Sequence, residues 1–226
     1  DKHDRTFIYK YTPGSKTWDI FFGKFIPDIL KEEKDAAFII DTGDMGIRET
    51  SSTPIEDGRL FRKRLDTLPL PFFFVPGNHD GPEIEAISPF YYSFNYGKFH
   101  FVCLYRYPAT PAEMDQELEW LKKDLTCYSP ETPILIFTHM HWGTEKYSDK
   151  QDALFKIFES RNVKALFFGH CHSLMISKHK NILQMSTPSL NYGGGWSQEY
   201  TGYPPSYRLI WIDGENIMVN AVKNVE

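Results

Sequence analysis

The chain carries few cysteines: Cys103, Cys127 and Cys171 are the only three in 226 residues. That is too few for a disulfide framework and favours a reducing compartment. No apolar run is long enough to cross a bilayer, so no membrane span is expected. Basic charge is also short, with 25 Lys and Arg against 30 Asp and Glu and a net charge of -5. Duplex nucleic acid, whose phosphates call for a basic surface, is therefore a poor partner. No internal repeat, low-complexity tract or domain linker interrupts the chain. What remains is a 41% hydrophobic chain of single-domain length. It starts at Asp1, which is not a translation start. The expectation is that a signal peptide, a tag or a short strand came before it, which leaves the compartment open.

Four polar clusters stand out, each at the end of an apolar run. Ala37-Phe38-Ile39-Ile40 leads to Gly43-Asp44, and Phe72-Phe73-Phe74-Val75 leads to Gly77-Asn78-His79-Asp80. Ile134-Leu135-Ile136-Phe137 leads to Thr138-His139-Met140-His141, and Ala165-Leu166-Phe167-Phe168 leads to Gly169-His170-Cys171-His172. Such runs read as short strands buried on both faces. Polar residues released at their ends converge on one rim of a sheet, where open α/β folds bind ligands. If the segment after Gly169 is extended, His170 and His172 share one side and Cys171 packs away from them. Taken singly, Asp44 reads as a cap or turn former, Asn78-His79-Asp80 as a turn and His139 as a structural histidine. Taken together, and all at strand ends, they read as metal ligands and proton carriers.

Between these strands the spacing predicts helices. Residues 18–33 carry an apolar face at helical spacing, with Pro27 expected to kink it. Residues 60–65 read as part of a second helix. Thr110-Pro111-Ala112-Glu113 opens a third with a capping box, and Met114, Leu118, Leu121 and Leu125 share one face. Residues 152–158 read as a fourth. Residues 91–96 and 98–104 read as strands joined at Gly97. Short strands follow at 182–185, 207–212 and 217–221, with a Gly/Tyr/Pro-rich loop over 191–205. Its Tyr192, Trp196, Tyr200 and Tyr203 suit either base stacking or pinning of the loop. His100 reads as a packing or surface residue and His179 as solvated.

The order GD, GNHD, H, GHxH resembles the calcineurin-like metallophosphoesterase family over nearly the whole chain. The resemblance implies a single domain over residues 1–226, α/β in class. Two packed mixed β-sheets flanked by helices would form a four-layer α/β/β/α sandwich. The family's D-x-H motif is matched by Asp1-Lys2-His3, and the strand that should precede it is missing upstream of residue 1. Carried over motif by motif, Asp1, His3, Asp44 and His172 would bind one metal. Asp44, Asn78, His139 and His170 would bind the other, with Asp44 bridging. Mixed N/O ligation suits two divalent transition-metal ions (Mn, Fe, Zn or Ni), with Mn favoured. The implied chemistry is attack on phosphorus by metal-activated hydroxide, with His79 as general acid and Asp80 placed to orient it. Arg48 and His141 are candidates for contact with the substrate.

Departures from known branches narrow the expectation. Gly43-Asp44-Met45-Gly46-Ile47-Arg48 lacks the GDxVDRG of the protein Ser/Thr phosphatases. Ile47 stands where purple acid phosphatases carry a tyrosine. The resemblance is therefore to the phosphodiesterase-like branch acting on a small phosphate ester, a branch that includes cyclic-nucleotide enzymes. The alternatives are a broad-specificity phosphomonoesterase or nucleotidase and, from another class, a non-catalytic protein-binding scaffold of the same fold.

Overall fold

The computed structural model describes residues 20–45, 53–105, 110–141, 148–180, 182–190 and 204–225. Asp1, His3, Arg48 and the aromatic residues of the 191–203 segment lie outside them.

The strands are β1 (Ile39–Asp41), β2 (Phe72–Phe74), β3 (Tyr92–Tyr96), β4 (Phe99–Leu104), β5 (Ile134–Thr138), β6 (Val163–Phe168), β7 (Ile176–His179), β8 (Ile182–Ser186), β9 (Ser206–Asp213) and β10 (Asn216–Asn224). The helices are α1 (Ile26–Glu32), α2 (Pro54–Leu65), α3 (Pro111–Leu125) and α4 (Ser148–Glu159). The main sheet has the order β3-β4-β5-β6-β8-β7. Its central strands β4, β5, β6 and β8 run parallel, while β3 and β7 close the two edges antiparallel. β4 and β5 are buried at every position, as unbroken apolar runs in a parallel sheet should be.

Three cores follow from this arrangement. On one face of the main sheet, Met114, Leu118, Leu121 and Leu125 of α3 and Leu154, Phe155 and Phe158 of α4 pack on Val102, Ile136, Leu166 and Phe168. The helix face read from the sequence is therefore the buried one, and the Thr110–Glu113 capping box that starts α3 is formed. Truncating a side chain such as Leu121 to alanine there would cost about 2–5 kcal/mol. On the other face, Phe99, Phe101, Phe137 and Phe167 meet Phe38, Ile40, Ile210 and Ile212. Behind β1 and β2, Phe21, Phe25 and Ile26 pack with Phe61 and Leu65 of α2.

Some local expectations change. Among the described residues the second layer is two separate pairs, parallel β1–β2 and antiparallel β9–β10, rather than one continuous sheet. β1 is half-buried at all its positions, not buried on both faces. The break before α1 is a π-helical turn, Phe21–Phe25, closed by the Ile26 N–H on the Phe21 carbonyl. Pro27 follows this turn with no gap in the helical backbone, Phe25 being αR, so the wider π turn ahead of it accommodates its missing N–H. The short edge strand β7 and a 3₁₀ turn at Pro82–Ala86 have too weak a pattern to read in advance. His179 is half-buried rather than fully solvated, its ring 4.2 Å from that of Phe155.

Candidate metal centre

β1, β2, β5 and β6 all end at the same rim, so the four motif loops meet there. Gly43 and Gly77 let them interlock. A Cβ on Gly43, which sits at φ +93°, would lie 2.6 Å from the Gly77 nitrogen and 2.6 Å from the Val75 carbonyl oxygen. A Cβ on Gly77 would lie 2.2 Å from Asp44 Oδ1. The glycines of the two motifs are thus a requirement of close backbone approach. Asp44 itself takes a left-handed conformation, φ 62°, that turns its carboxylate into the rim.

The centre is organised around His139, which is buried. Its Nδ1–H donates to the Thr42 carbonyl at 2.6 Å. A carbonyl can only accept, so this bond assigns the proton to Nδ1 and leaves the Nε2 lone pair facing the rim. Three further atoms face Nε2: Asp44 Oδ2 at 3.0 Å, Asn78 Oδ1 at 3.0 Å and His170 Nδ1 at 3.3 Å. Donor atoms of Asp44, His139 and His170 all lie within 4.8 Å of one another. Each of these four atoms can present a lone pair to the same point, an arrangement that a divalent cation satisfies. The residues present therefore fit a metal.

Burial alone would depress His139, but the hydrogen bond and charge of Asp44 and the Thr42 carbonyl raise its pKa. Burial alone would raise Asp44, yet His139 and the His79 amide hold it below the usual carboxylate range. Burial pushes Asp41 up to about 7 against the Gly43 amide bond that stabilises its charge. Burial, then the nearby Asp44 charge, pushes Asp80 up to about 6. Three carboxyl groups gathered beside His139 favour a nearby cation. His170 is lowered by burial and then by the charge of His139, as suits a neutral imidazole ligand.

Asp80 is not placed as a support for the His79 ring. Its Oδ2 accepts the N–H of Asp44 at 2.8 Å and the N–H of Gly77 at 2.8 Å, while its buried Oδ1 has no hydrogen-bond partner among the described residues. It ties two motif loops together. His79 is exposed at the mouth of the site, its backbone N–H held by Asp44 Oδ1 at 2.8 Å. His170 and His172 do share the rim, but not by strand alternation. Both have positive φ, 60° and 51°, so two left-handed turns rather than an extended segment aim them. Cys171 packs against the helix-side core as expected. His141 lies beside it, Nδ1 3.8 Å from Sγ, with its ring 5.6 Å from that of Phe168. Asp1, His3 and Arg48 lie outside the described residues. Asp41 and Thr42 were missed. Asp41 stands beside the GD motif and could have been found, whereas the Thr42 contact uses a backbone carbonyl and has no side-chain signature.

A sheet rim with Asp, Asn and His donors converging from four strand ends defines a metal-binding α/β protein. The calcineurin-like phosphoesterase family matches residues 16–174, and the chain belongs to that family. It is similar to a probable glycerophosphodiester phosphodiesterase, GpdQ, of Arcobacter nitrofigilis, at 22% identity over 218 residues, covering 83% of this chain and 77% of the relative. It is also similar to purple acid phosphatase 15 of Arabidopsis thaliana, at 35% identity over 109 residues, or 45% of this chain. The chain spans only 20% of the length of that plant relative. Among solved structures, a dimetal phosphatase from Danio rerio shares the fold with a TM-score of 0.52 at 14% identity, over 71% of this chain and 75% of the other. GAP50, described as the anchor in the inner membrane complex of Plasmodium, shares it with a TM-score of 0.58 at 11% identity, over 96% of this chain and 87% of the other.

Proposed function

We propose that the chain is a dinuclear metal-dependent phosphoesterase that hydrolyses a small phosphodiester, on a four-layer α/β/β/α frame. The observation that carries this is the convergence of Asp44 Oδ2, Asn78 Oδ1 and His170 Nδ1 on His139 Nε2. Asp44, Asn78, His139 and His170 would hold one divalent ion. Asp1, His3, Asp44 and His172 would hold a second, with Asp44 shared and Mn the favoured metal. Such ions, when bound, supply charge stabilisation for a phosphoryl group and a more acidic water.

The chain's own residues supply the rest. The Thr42 carbonyl keeps His139 in one tautomer and orientation. Asp80 holds the Asp44 and Gly77 loops in register through two amide bonds. His79, exposed beside Asp44 with its backbone pinned, can deliver a proton to the leaving oxygen as general acid. Arg48 and His141 are the candidates for contact with the phosphate. A diester is favoured over a monoester because the likeness to GpdQ runs along most of both chains. Ile47 in place of a tyrosine also speaks against the purple acid chemistry. GAP50 keeps the fold in what its description calls an anchor. Against that scaffold role here stand the converging donors and the exposed His79.

Elemental analysis with hydrolysis of bis-p-nitrophenyl phosphate and p-nitrophenyl phosphate tests the proposal. Wild type is expected to bind two metals and prefer the diester. His79→Ala should keep its metals and lose about 10²–10⁴-fold in turnover. A metal-free wild type without turnover would restore the scaffold, and a preference for the monoester would restore the phosphomonoesterase.

A further inference from the structure

Arg208, on β9, carries a half-buried guanidinium. A cation withdrawn from water usually meets a carboxylate, but among the described residues Arg208 is bonded to neutral oxygens alone. Its Nη2 donates to the Ser186 carbonyl at 2.6 Å, its Nε to Thr187 Oγ1 at 3.3 Å and its Nη1 to Asn220 Oδ1 at 2.6 Å. The Cζ lies 5.9 Å from the centre of the Phe167 ring. The side chain therefore crosses from the β9–β10 pair to the main sheet and closes on the last residue of β8 and the one after it. Burial lowers its pKa, yet a guanidinium stays charged. The fold accepts that cost at one place, the C-terminal end of β8.

Those two residues grip Gly169-His170-Cys171-His172 from both sides. Ahead of the motif, the Thr187 N–H bonds the Phe168 carbonyl at 3.3 Å, next to the Gly169 N–H on the His139 carbonyl at 3.0 Å. Behind it, the Ser186 N–H bonds the Met175 carbonyl at 3.0 Å and the Met175 N–H bonds Ser186 Oγ at 2.7 Å. The same hydroxyl donates to the Ser173 carbonyl. Inside the motif, the Cys171 N–H reaches back to the Gly169 carbonyl at 2.6 Å. His170 and His172 both hold positive φ, a conformation disfavoured for residues with a Cβ. Such turns persist only where their surroundings over-determine them. Ser186, wholly buried, is the hub of that constraint, and Arg208 holds its carbonyl.

We propose that Arg208 is a positioning residue for His170 and His172, acting through Ser186 and Thr187. The aim of two imidazoles then depends on a side chain from the other layer of the fold. The guanidinium fork holds the Ser186 carbonyl and the Thr187 hydroxyl together, which fixes the end of β8. The end of β8 in turn fixes where the motif leaves β6 and where the chain turns back into β7. The consequence for a bound ion rests on the metal-centre reading, whereas the positioning of the two rings does not.

Arg208→Met, which keeps an apolar stem and removes the fork, is tested by two measurements. In EDTA, nuclear magnetic resonance follows the ring signals of His170 and His172 and the amide exchange of Met175, Ser186 and Thr187. The rings are expected to shift, and those three amides to exchange about 10-fold faster while the amides of α3 keep their rates. Titration with Mn2+ alone, read from the paramagnetic resonance of the free ion, is expected to show affinity lower by about 10–100-fold. His100→Phe, a destabilising change far from the site, should alter neither the rings nor the Mn2+ affinity. Unchanged rings and exchange in Arg208→Met overturn the proposal. So does wild-type Mn2+ affinity in that variant, or an equal loss in His100→Phe, which would mark a general loss of stability. If Arg208→Met fails to fold, Thr187→Val removes the Nε contact alone, keeps the backbone bond to Phe168, and is judged by the same outcomes. A wild type that binds no Mn2+ would sink the metal-centre reading, and the measurements in EDTA would then decide the role of Arg208.

Discussion

Asp80→Ala would separate two roles that a carboxylate beside a catalytic histidine can play. The Asp80 carboxylate receives two part-buried amides, those of Asp44 and Gly77, each at 2.8 Å. Removing it strands both donors, at about 1–3 kcal/mol each, so the loss is about 2–6 kcal/mol. Against a typical domain stability of about 5–15 kcal/mol that is a large fraction. Asp80→Asn keeps one oxygen for both amides and removes a charge that burial and Asp44 already disfavour. It should cost less than Asp80→Ala, about 1–3 kcal/mol, because both backbone bonds survive while its NH2 group replaces an oxygen that has no partner among the described residues. Urea unfolding in EDTA measures both variants without a contribution from bound metal. The second readout is a cycle with His79→Ala on turnover. If Asp80 holds loops and not the His79 ring, Asp80→Asn and His79→Ala should combine additively within about 0.5 kcal/mol. An alanine variant as stable as wild type, or strong coupling between Asp80→Asn and His79→Ala, would refute the reasoning.

Gly77→Ala should abolish metal uptake and lower Tm, because its Cβ would lie 2.2 Å from Asp44 Oδ1 and 2.5 Å from the Asp44 nitrogen. Retained metal content by elemental analysis would show that the loops can part. Far from the site, His100 is wholly buried and bonds Asp124 Oδ2 at 2.7 Å and Asn95 Oδ1 at 2.8 Å. Burial would raise the Asp124 pKa, but the bonds from His100 and Ser93 hold it below the usual value. A depressed carboxylate stabilises the fold above its unfolded pKa, near 3.9, and loses that contribution as pH falls through its lower folded pKa. His100→Phe should therefore destabilise the protein at pH 7 and flatten the acid limb below about pH 4. Urea midpoints across that range would check it, and parallel curves for both proteins would count against the pairing.

Local pattern determined much of this protein. Apolar runs announced β2, β5 and β6, and helical spacing with a capping box announced α3, because those signals depend on neighbours in the chain. The motif order announced Asp44, Asn78, His139 and His170 as partners, because strand ends in a parallel sheet collect on one rim. What the sequence could not show depends on contacts between distant segments. The Thr42 carbonyl that orients His139 has no identity in a side-chain alphabet. The two amides that claim Asp80 lie 36 and 3 residues away from it. The left-handed turns at His170 and His172 are imposed where a strand must bend into a crowded rim, against the extended path that H-x-H suggests. The division of the second layer, among the described residues, into the pairs β1–β2 and β9–β10 is likewise a property of tertiary arrangement, because a ladder between strands joins segments distant in the chain and belongs to no residue type.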